Sequence, residues 1–282
     1  MDSVVPSPVK KSNVDLMLIS VITPSFNQGA FIGKCLSSVR DQEGDFQVEH
    51  IVLDNCSTDN TAAVLHRHSA NTGRVRFVPI VEPDGGQTAA INKGFSLAEG
   101  DIVCWLNTDE WYKPRALSII STYFREHPEI DMVFGDCDFL DRMGNLVKRR
   151  RENGFLLPVL IYYECNVPSC ATFVRRRVID SGLRLNPEFR VIMDGDWYIR
   201  IATSGFRIAH LAKSLACFTW TGHNICTSFP EQKNLEQLLI LERFSSIRGP
   251  VWYRKVLYFV ARWFWIGVRV QRRILHTILG HR

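Results

Sequence analysis

The sequence predicts an α/β fold with a largely parallel sheet, followed by a C-terminal helical segment. Three observations lead there. Short β-branched apolar runs alternate four times with stretches of helical periodicity, polar or glycine-bearing loops follow those runs, and the composition changes after residue 247. With 46% apolar and 22% charged residues, the 282-residue chain is not disordered, collagenous or a coiled coil as a whole. The length fits one α/β domain of about 200–250 residues plus an appendage, with a core that needs no staples. The eight cysteines never form a CxxC pair, so they read as small core residues in a reducing compartment rather than a disulfide frame or a zinc site.

The first strand is LISVIT at 18–23, closed by the turn signal Pro24-Ser25-Phe26-Asn27. Phe31, Ile32, Cys35, Leu36 and Val39 then recur at helical spacing. HIVLD at 50–54 leads to a helix from about Asn60, and a strand at 75–80 leads to a helix from about Gln87. DIVCWL at 101–106 precedes a helix opened by Pro114, since proline is tolerated in a first turn. This alternation implies right-handed crossovers and a sheet covered on both faces. MVFGDCDFLDRMGNLVKRR, from Met132, reads as two strands around a Met-Gly-Asn turn, so the second half is more mixed. Residues 1–16 hold two prolines and no apolar stretch of signal-peptide length, as expected of a short flexible leader.

Ligands of such sheets bind outside the carboxyl ends of the parallel strands. Three of those ends carry acids or amides: Thr23 to Asn27, Asp54-Asn55-Cys56-Ser57-Thr58-Asp59, and Asn107-Thr108-Asp109-Glu110. Glu82-Pro83-Asp84-Gly85-Gly86-Gln87 adds a glycine-bearing loop at a helix start, where backbone N–H groups can face phosphate oxygens. None is a G-x-G-x-x-G or a P-loop, which disfavours a dinucleotide dehydrogenase and a P-loop kinase. Asp54 alone reads equally well as a turn residue. Adjacent acids after a buried strand are more telling, because they repel unless a cation joins them.

ISVITPSFNQGAFIGKCLSSVRDQ, IVLDNCSTDNT, EPDGGQTAAINKGFSLAEGD, WLNTDEWY and MDGDWYIRIATSG, in that order over roughly residues 17–225, resemble the family 2 glycosyltransferases of GT-A fold. The resemblance implies a Rossmann-like nucleotide-binding domain over 17–230 with a mixed central sheet. It implies an inverting transferase that moves a sugar from a nucleotide-sugar, a UDP-sugar first, to a saccharide or lipid-linked acceptor in polysaccharide or glycoconjugate synthesis. By position, Thr23 and Phe26 would border the base, with Asp54 and Asn55 near its edge. Asn55 stands where the family often has an acid. Asp84, Gln87 and Asn92 would line the nucleotide pocket, and Asp109 would contact the ribose or a metal's water shell. Glu110 would be the direct ligand of a divalent cation, Mn²⁺ or Mg²⁺, and His223 would reach the diphosphate or the metal. Asp194 would be the general base, with Asp196 supporting it. The motifs depart from the family at Asn107, at Glu110 for the commoner aspartate, and at Met193 for an acid. There are two other readings. A nucleotidyltransferase would need basic residues in a glycine-rich loop near the N-terminus, whereas TPSFNQG has none. A non-catalytic assembly partner of the same fold is compatible with Asn107 and Met193.

The charge is unevenly placed. Residues 248–282 carry eight Lys and Arg and no acid, so the chain's net +5 divides into +8 on the tail and −3 on residues 1–247. A body gripping nucleic acid would show the reverse, and no nucleic-acid partner is expected. The tail interleaves its arginines with Trp252, Tyr253, Tyr258, Phe259, Trp263, Phe264 and Trp265. Its charge-free runs, such as 256–261, are all far short of the ~20 residues that span a bilayer. Residues 231–282 therefore read as a helical membrane-association segment, with 248–282 lying in the interface. A helix docked on the body and a partner-protein site are the alternatives. The expected location is cytoplasmic, peripheral to the inner face of the membrane.

Overall fold

The structure, a computed structural model, describes residues 16–152, 154–220 and 228–279. The alternation read from the sequence is present: β1 (Met17–Ser25), α1 (Ile32–Arg40), β2 (Phe46–Asp54), α2 (Thr61–Ser69), β3 (Val75–Val81), α3 (Gln87–Leu97) and β4 (Ile102–Trp105). There follow β5 (Glu110–Tyr112), α4 (Ala116–Glu126), the hairpin β6 (Met132–Leu140) and β7 (Leu146–Arg150), α5 (Leu157–Tyr162), β8 (Thr172–Arg175) and α6 (Arg176–Asp180). The chain continues through α7 (Met193–Thr203), β9 (Ile208–Thr219), α8 (Pro230–Phe244) and α9 (Val251–Leu279).

One sheet runs β3-β2-β1-β4-β8-β6-β9-β5, with β7 paired to β6. The strands β3, β2, β1 and β4 are parallel neighbours, and the pairs β4/β8, β8/β6 and β9/β5 are antiparallel. Chain order reverses between β1 and β4, which makes the carboxyl ends of β1, β2 and β4 the switch point where such folds hold ligands. Side-chain alternation in β1 builds both layers. Ile19 and Val21 pack with Cys35, Val39, Leu117 and Phe124 from α1 and α4. Ile22 faces the other layer, with Phe95, Trp105 and Trp197. Trp197 of α7 stacks on Phe95 of α3, centroids 5.2 Å apart, and lies 5.5 Å from Trp105. That aromatic cluster fixes α7 against α3 and β4. A Cβ at Gly94 would collide with Ile22, so only glycine lets α3 lie this close to β1.

Two local expectations are corrected. Glu110–Tyr112 is a strand, because β9, about a hundred residues later, supplies its partners. Pro114 lies outside α4: Arg115 takes φ +65° as the residue before the helix, and the Lys113 N–H still bonds to Leu215 of β9. Residues 113–115 are the turn that leaves the sheet.

Candidate active site

The four parallel strand ends are joined by side-chain hydrogen bonds into a ring. Asp54 ends β2 in register with Ser25, and its carboxylate accepts from the Ser57 N–H at 2.9 Å and hydroxyl at 2.6 Å. The Asn27 N–H donates to the Ser57 hydroxyl at 2.8 Å, and the Asn27 side-chain oxygen accepts from the Thr58 N–H at 2.8 Å. Asn27 and Cys56 adopt φ of +53° and +49° to make these turns. The Asn55 side-chain oxygen accepts from the Asp84 N–H at 2.9 Å, which binds the loop after β2 to the loop after β3. Gln87, first in α3, donates to the Asn107 side-chain oxygen at 2.8 Å. Thr108 donates to Gln28 at 3.3 Å and returns the ring to the loop after β1. Beside it lies a recess lined by Asp54, Glu82, Pro83, Asp84, Gly85 and Lys93, with Glu82 and Lys93 paired across it.

Glu110 sits almost fully buried at the start of β5, its carboxylate accepting from the Asn107 N–H at 2.7 Å. Burial pushes its pKa up to about 8; the neighbouring Asp109 charge adds to the rise and the Asn107 bonds oppose it. Asp109 is half-buried, and its carbonyl accepts from Thr219 of β9. Gln87, Asn107, Asp109 and Glu110 therefore come together, as do Asp54, Asn55 and Asp84. Phe26 projects at the rim, 54% exposed.

Three expected residues lie elsewhere. Thr23 is fully buried, its hydroxyl 2.9 Å from His50 Nε2, because β1 turns that position toward α1. Asn92 spends both ends of its amide on the backbone of Leu185, at 2.8 and 2.9 Å. Asp196 is buried on the opposite face of α7 from Asp194 and pairs with Arg200 at 2.7 Å, since two helical residues two apart cannot share a face. His223 lies outside the described residues, as does the leader through residue 15.

Asp194 occupies the first turn of α7. Burial raises its carboxyl above the ordinary carboxylate value, while the Gly195 N–H at 2.8 Å and the charges of Arg150 and Lys233 pull it down. Desolvation is the largest cause of the Asp194 shift. Several residues that the motifs did not single out fix its place. The Thr88 hydroxyl donates to the Met193 sulfur at 3.0 Å, which sets the first turn of α7 against the first turn of α3. Fully buried Glu236 of α8 accepts the N–H groups of Arg190, Val191 and Ile192 at 2.8 to 2.9 Å. Cys165 approaches Asp194 Oδ2 at 4.0 Å. Their partners are remote in sequence, so no spacing signals them.

The Glycosyl transferase family 2 profile matches residues 20–183. A chondroitin synthase of Escherichia coli is 30% identical over 142 residues, which are 50% of this chain and 20% of that protein. Other relatives are also spanned only in part, from 10% to 67% of their length. Among solved structures, S. aureus TarS 1-349 in complex with UDP-GlcNAc superposes with a TM-score of 0.63 at 20% identity, over 81% of this chain and 71% of that one. A mannosyltransferase from Pyrobaculum calidifontis in complex with GDP-Man and Mn²⁺ gives 0.63 at 14% identity, over 94% and 76%. These two share the fold.

Proposed function

Because the chain belongs to glycosyl transferase family 2, we propose that it transfers a sugar, with inversion, from a nucleotide-sugar, a UDP-sugar first, to a saccharide or lipid-linked acceptor. One observation carries the reading: the hydrogen-bonded ring that joins the ends of β1 to β4 and holds Asp109 and Glu110 in its rim. A ring tied by side chains is pre-organised, so little ordering remains to be done when a nucleotide arrives. Exposed Phe26 supplies a face for the base, while Asp54 and Asp84 line the recess and Asn55 holds the Asp84 backbone.

The donor atoms suit a hard divalent cation. Asp109 and Glu110 offer only oxygen, and their mutual repulsion contributes to the raised Glu110 value, a strain that a cation removes. Such a cation, when it bridges to a diphosphate, is usually held by one or two protein carboxylates, the rest of its ligands being phosphate oxygens and water. Asp109, the more exposed of the two, is the better placed to touch it, with Glu110 behind. Bound there, Mn²⁺ or Mg²⁺ would supply positive charge to the departing diphosphate. Asp194 takes the proton from the acceptor hydroxyl, and its burial makes it a stronger base than a solvated carboxylate. Attack opposite the diphosphate inverts the anomeric carbon without a covalent intermediate.

The membrane proposal gains support from how α9 sits. The side that meets the body is mixed: Tyr258 packs on the core, Ala261, Trp265 and Val268 are half-buried, and Arg269 pairs with Glu152 and Glu164. The opposite side leaves Trp252, Val256, Phe259, Val260, Trp263 and Phe264 more than half exposed. An ordinary surface helix turns polar residues outward instead. No helix among the described residues is long and apolar enough to cross a membrane. The exposed aromatic face is of the kind that lies in an interface.

Melting with Mn²⁺ and a panel of UDP-, GDP- and dTDP-sugars, together with assay of nucleoside diphosphate release, tests the enzyme reading. Metal-dependent stabilisation by one nucleotide class is expected, at about 2.7 kcal/mol for ligand at 100-fold its Kd. No stabilisation by any of them would sink it. Asp109→Asn should abolish the metal dependence of stabilisation without unfolding the protein.

A further inference from the structure

A buried chain of charges links the outer helix to the neighbourhood of Asp194. Arg150 ends β7, and its Nε donates to Glu152 Oε1 at 2.8 Å while its Nη2 donates to the Cys165 carbonyl at 3.0 Å. Cys165 in turn packs its thiol 4.0 Å from Asp194 Oδ2, and its side chain lies in van der Waals range of the position a Cβ would take on Gly195. Glu152 is 3% exposed and carries a second cation: its Oε2 accepts from Arg269 Nη2 at 3.2 Å, and its own N–H donates to Asp136 at 3.0 Å. Arg269 also pairs with Glu164, beside Tyr163 and next to Cys165. Helix α9 therefore reaches the active-site wall through one arginine and one shared carboxylate.

We propose that Arg150 is a positioning residue for the Asp194 carboxylate, and that Arg269 of the C-terminal helix sets Arg150 through their common partner Glu152. The proposal rests on the reading of Asp194 as the base. Arg150 has two functions here. It holds the 163–167 segment against the first turn of α7, and its charge favours the anionic form that can accept a proton. Four groups face Asp194: Arg150 from β7, the Cys165 thiol, Lys233 from α8 and the Tyr198 hydroxyl along α7. Of these, Arg150 is the one whose place depends on α9. Without Arg269, Glu152 loses one of its guanidinium partners, and more of its charge offsets the field of Arg150 at Asp194. Seating of the helix on the body thereby tunes the base.

The variants are Arg150→Met, Arg150→Lys, Arg269→Ala and Arg269→Lys in the full chain, with Asp194→Asn as reference. The acidic limb of kcat/KM for nucleoside diphosphate release from UDP-N-acetylglucosamine, UDP-glucose and UDP-galactose with Mn²⁺ should move up by about one pH unit in Arg150→Met, about tenfold lower activity below the limb. Arg269→Ala should move it by about half a unit, and the two lysine variants should restore it. A second readout needs no turnover. An acid whose pKa is higher folded than unfolded contributes stability at low pH and loses it as pH rises through the folded value. The Tm advantage of Asp194→Asn over an Asp194-bearing chain should therefore grow with pH and level off at the folded pKa of Asp194. That levelling point should lie higher in the Arg150→Met and Arg269→Ala backgrounds. An unchanged limb and levelling point in both would overturn the proposal. Normal turnover by Asp194→Asn would instead defeat the base assignment itself, so the two failures are separable.

Discussion

Three backbone N–H groups that open the turn before α7 converge on one buried carboxylate, Glu236. Each is a charge-assisted bond, and no water can replace the acceptor in a site this closed. Glu236→Ala should lower stability by about 3 kcal/mol or more in urea unfolding, and Glu236→Gln by about half as much, because an amide keeps one acceptor and adds a misplaced donor. A loss under ~1 kcal/mol for the alanine variant would mean the turn is held by something else. Asp194→Asn should retain metal-dependent donor binding while kcat falls by about 10² or more, the usual scale of general-base loss. Residue types at the ring were legible because strand ends advertise them. Thr23, Asn92 and Asp196 show the limit of that: a motif gives position along the chain, but the face of a strand or helix decides whether a side chain meets ligand or core.

At the scale of elements, β1 to β4 and the helices between them carry strong local signals, β-branched runs and 3.6-residue periodicity, and they formed where expected. β5 did not announce itself, since three residues become a strand only when β9 lies alongside. Helix α9 is the more instructive case. Its composition indicated both docking and membrane contact; one side of the helix lies on the body, and the other leaves its aromatic residues exposed. Removing residues 248–282 should release the protein from vesicles containing anionic lipid, as followed by co-sedimentation. Continued pelleting of the truncated protein would place membrane contact on another surface.

For the molecule as a whole, the −3 body and the +8 tail are complementary, and the complementarity is partly consumed inside the structure. Arg269, 14% exposed, meets Glu152 at 1%, whereas the arginines facing away from the body are left for solvent or lipid. Screening acts on exposed charge far more than on buried pairs. At ~0.5 M salt, vesicle binding should therefore weaken several-fold while Tm changes little. A parallel fall in Tm would show that the helix is held by exposed pairs instead. Family, the alternation of strands and helices in the first half and the residue types of the ring were determined by the sequence alone, because they rest on local periodicity and on motifs whose members are close in the chain. Only the tertiary structure decided that Asp196 turns away, that Glu236 holds α7 from α8, and that Arg269 reaches back toward Asp194. Those outcomes depend on which face of each element is buried and on contacts more than forty, and in one case more than a hundred, residues apart. Sequence periodicity marks such a face as apolar or charged. It carries no record of the partner that the face will meet.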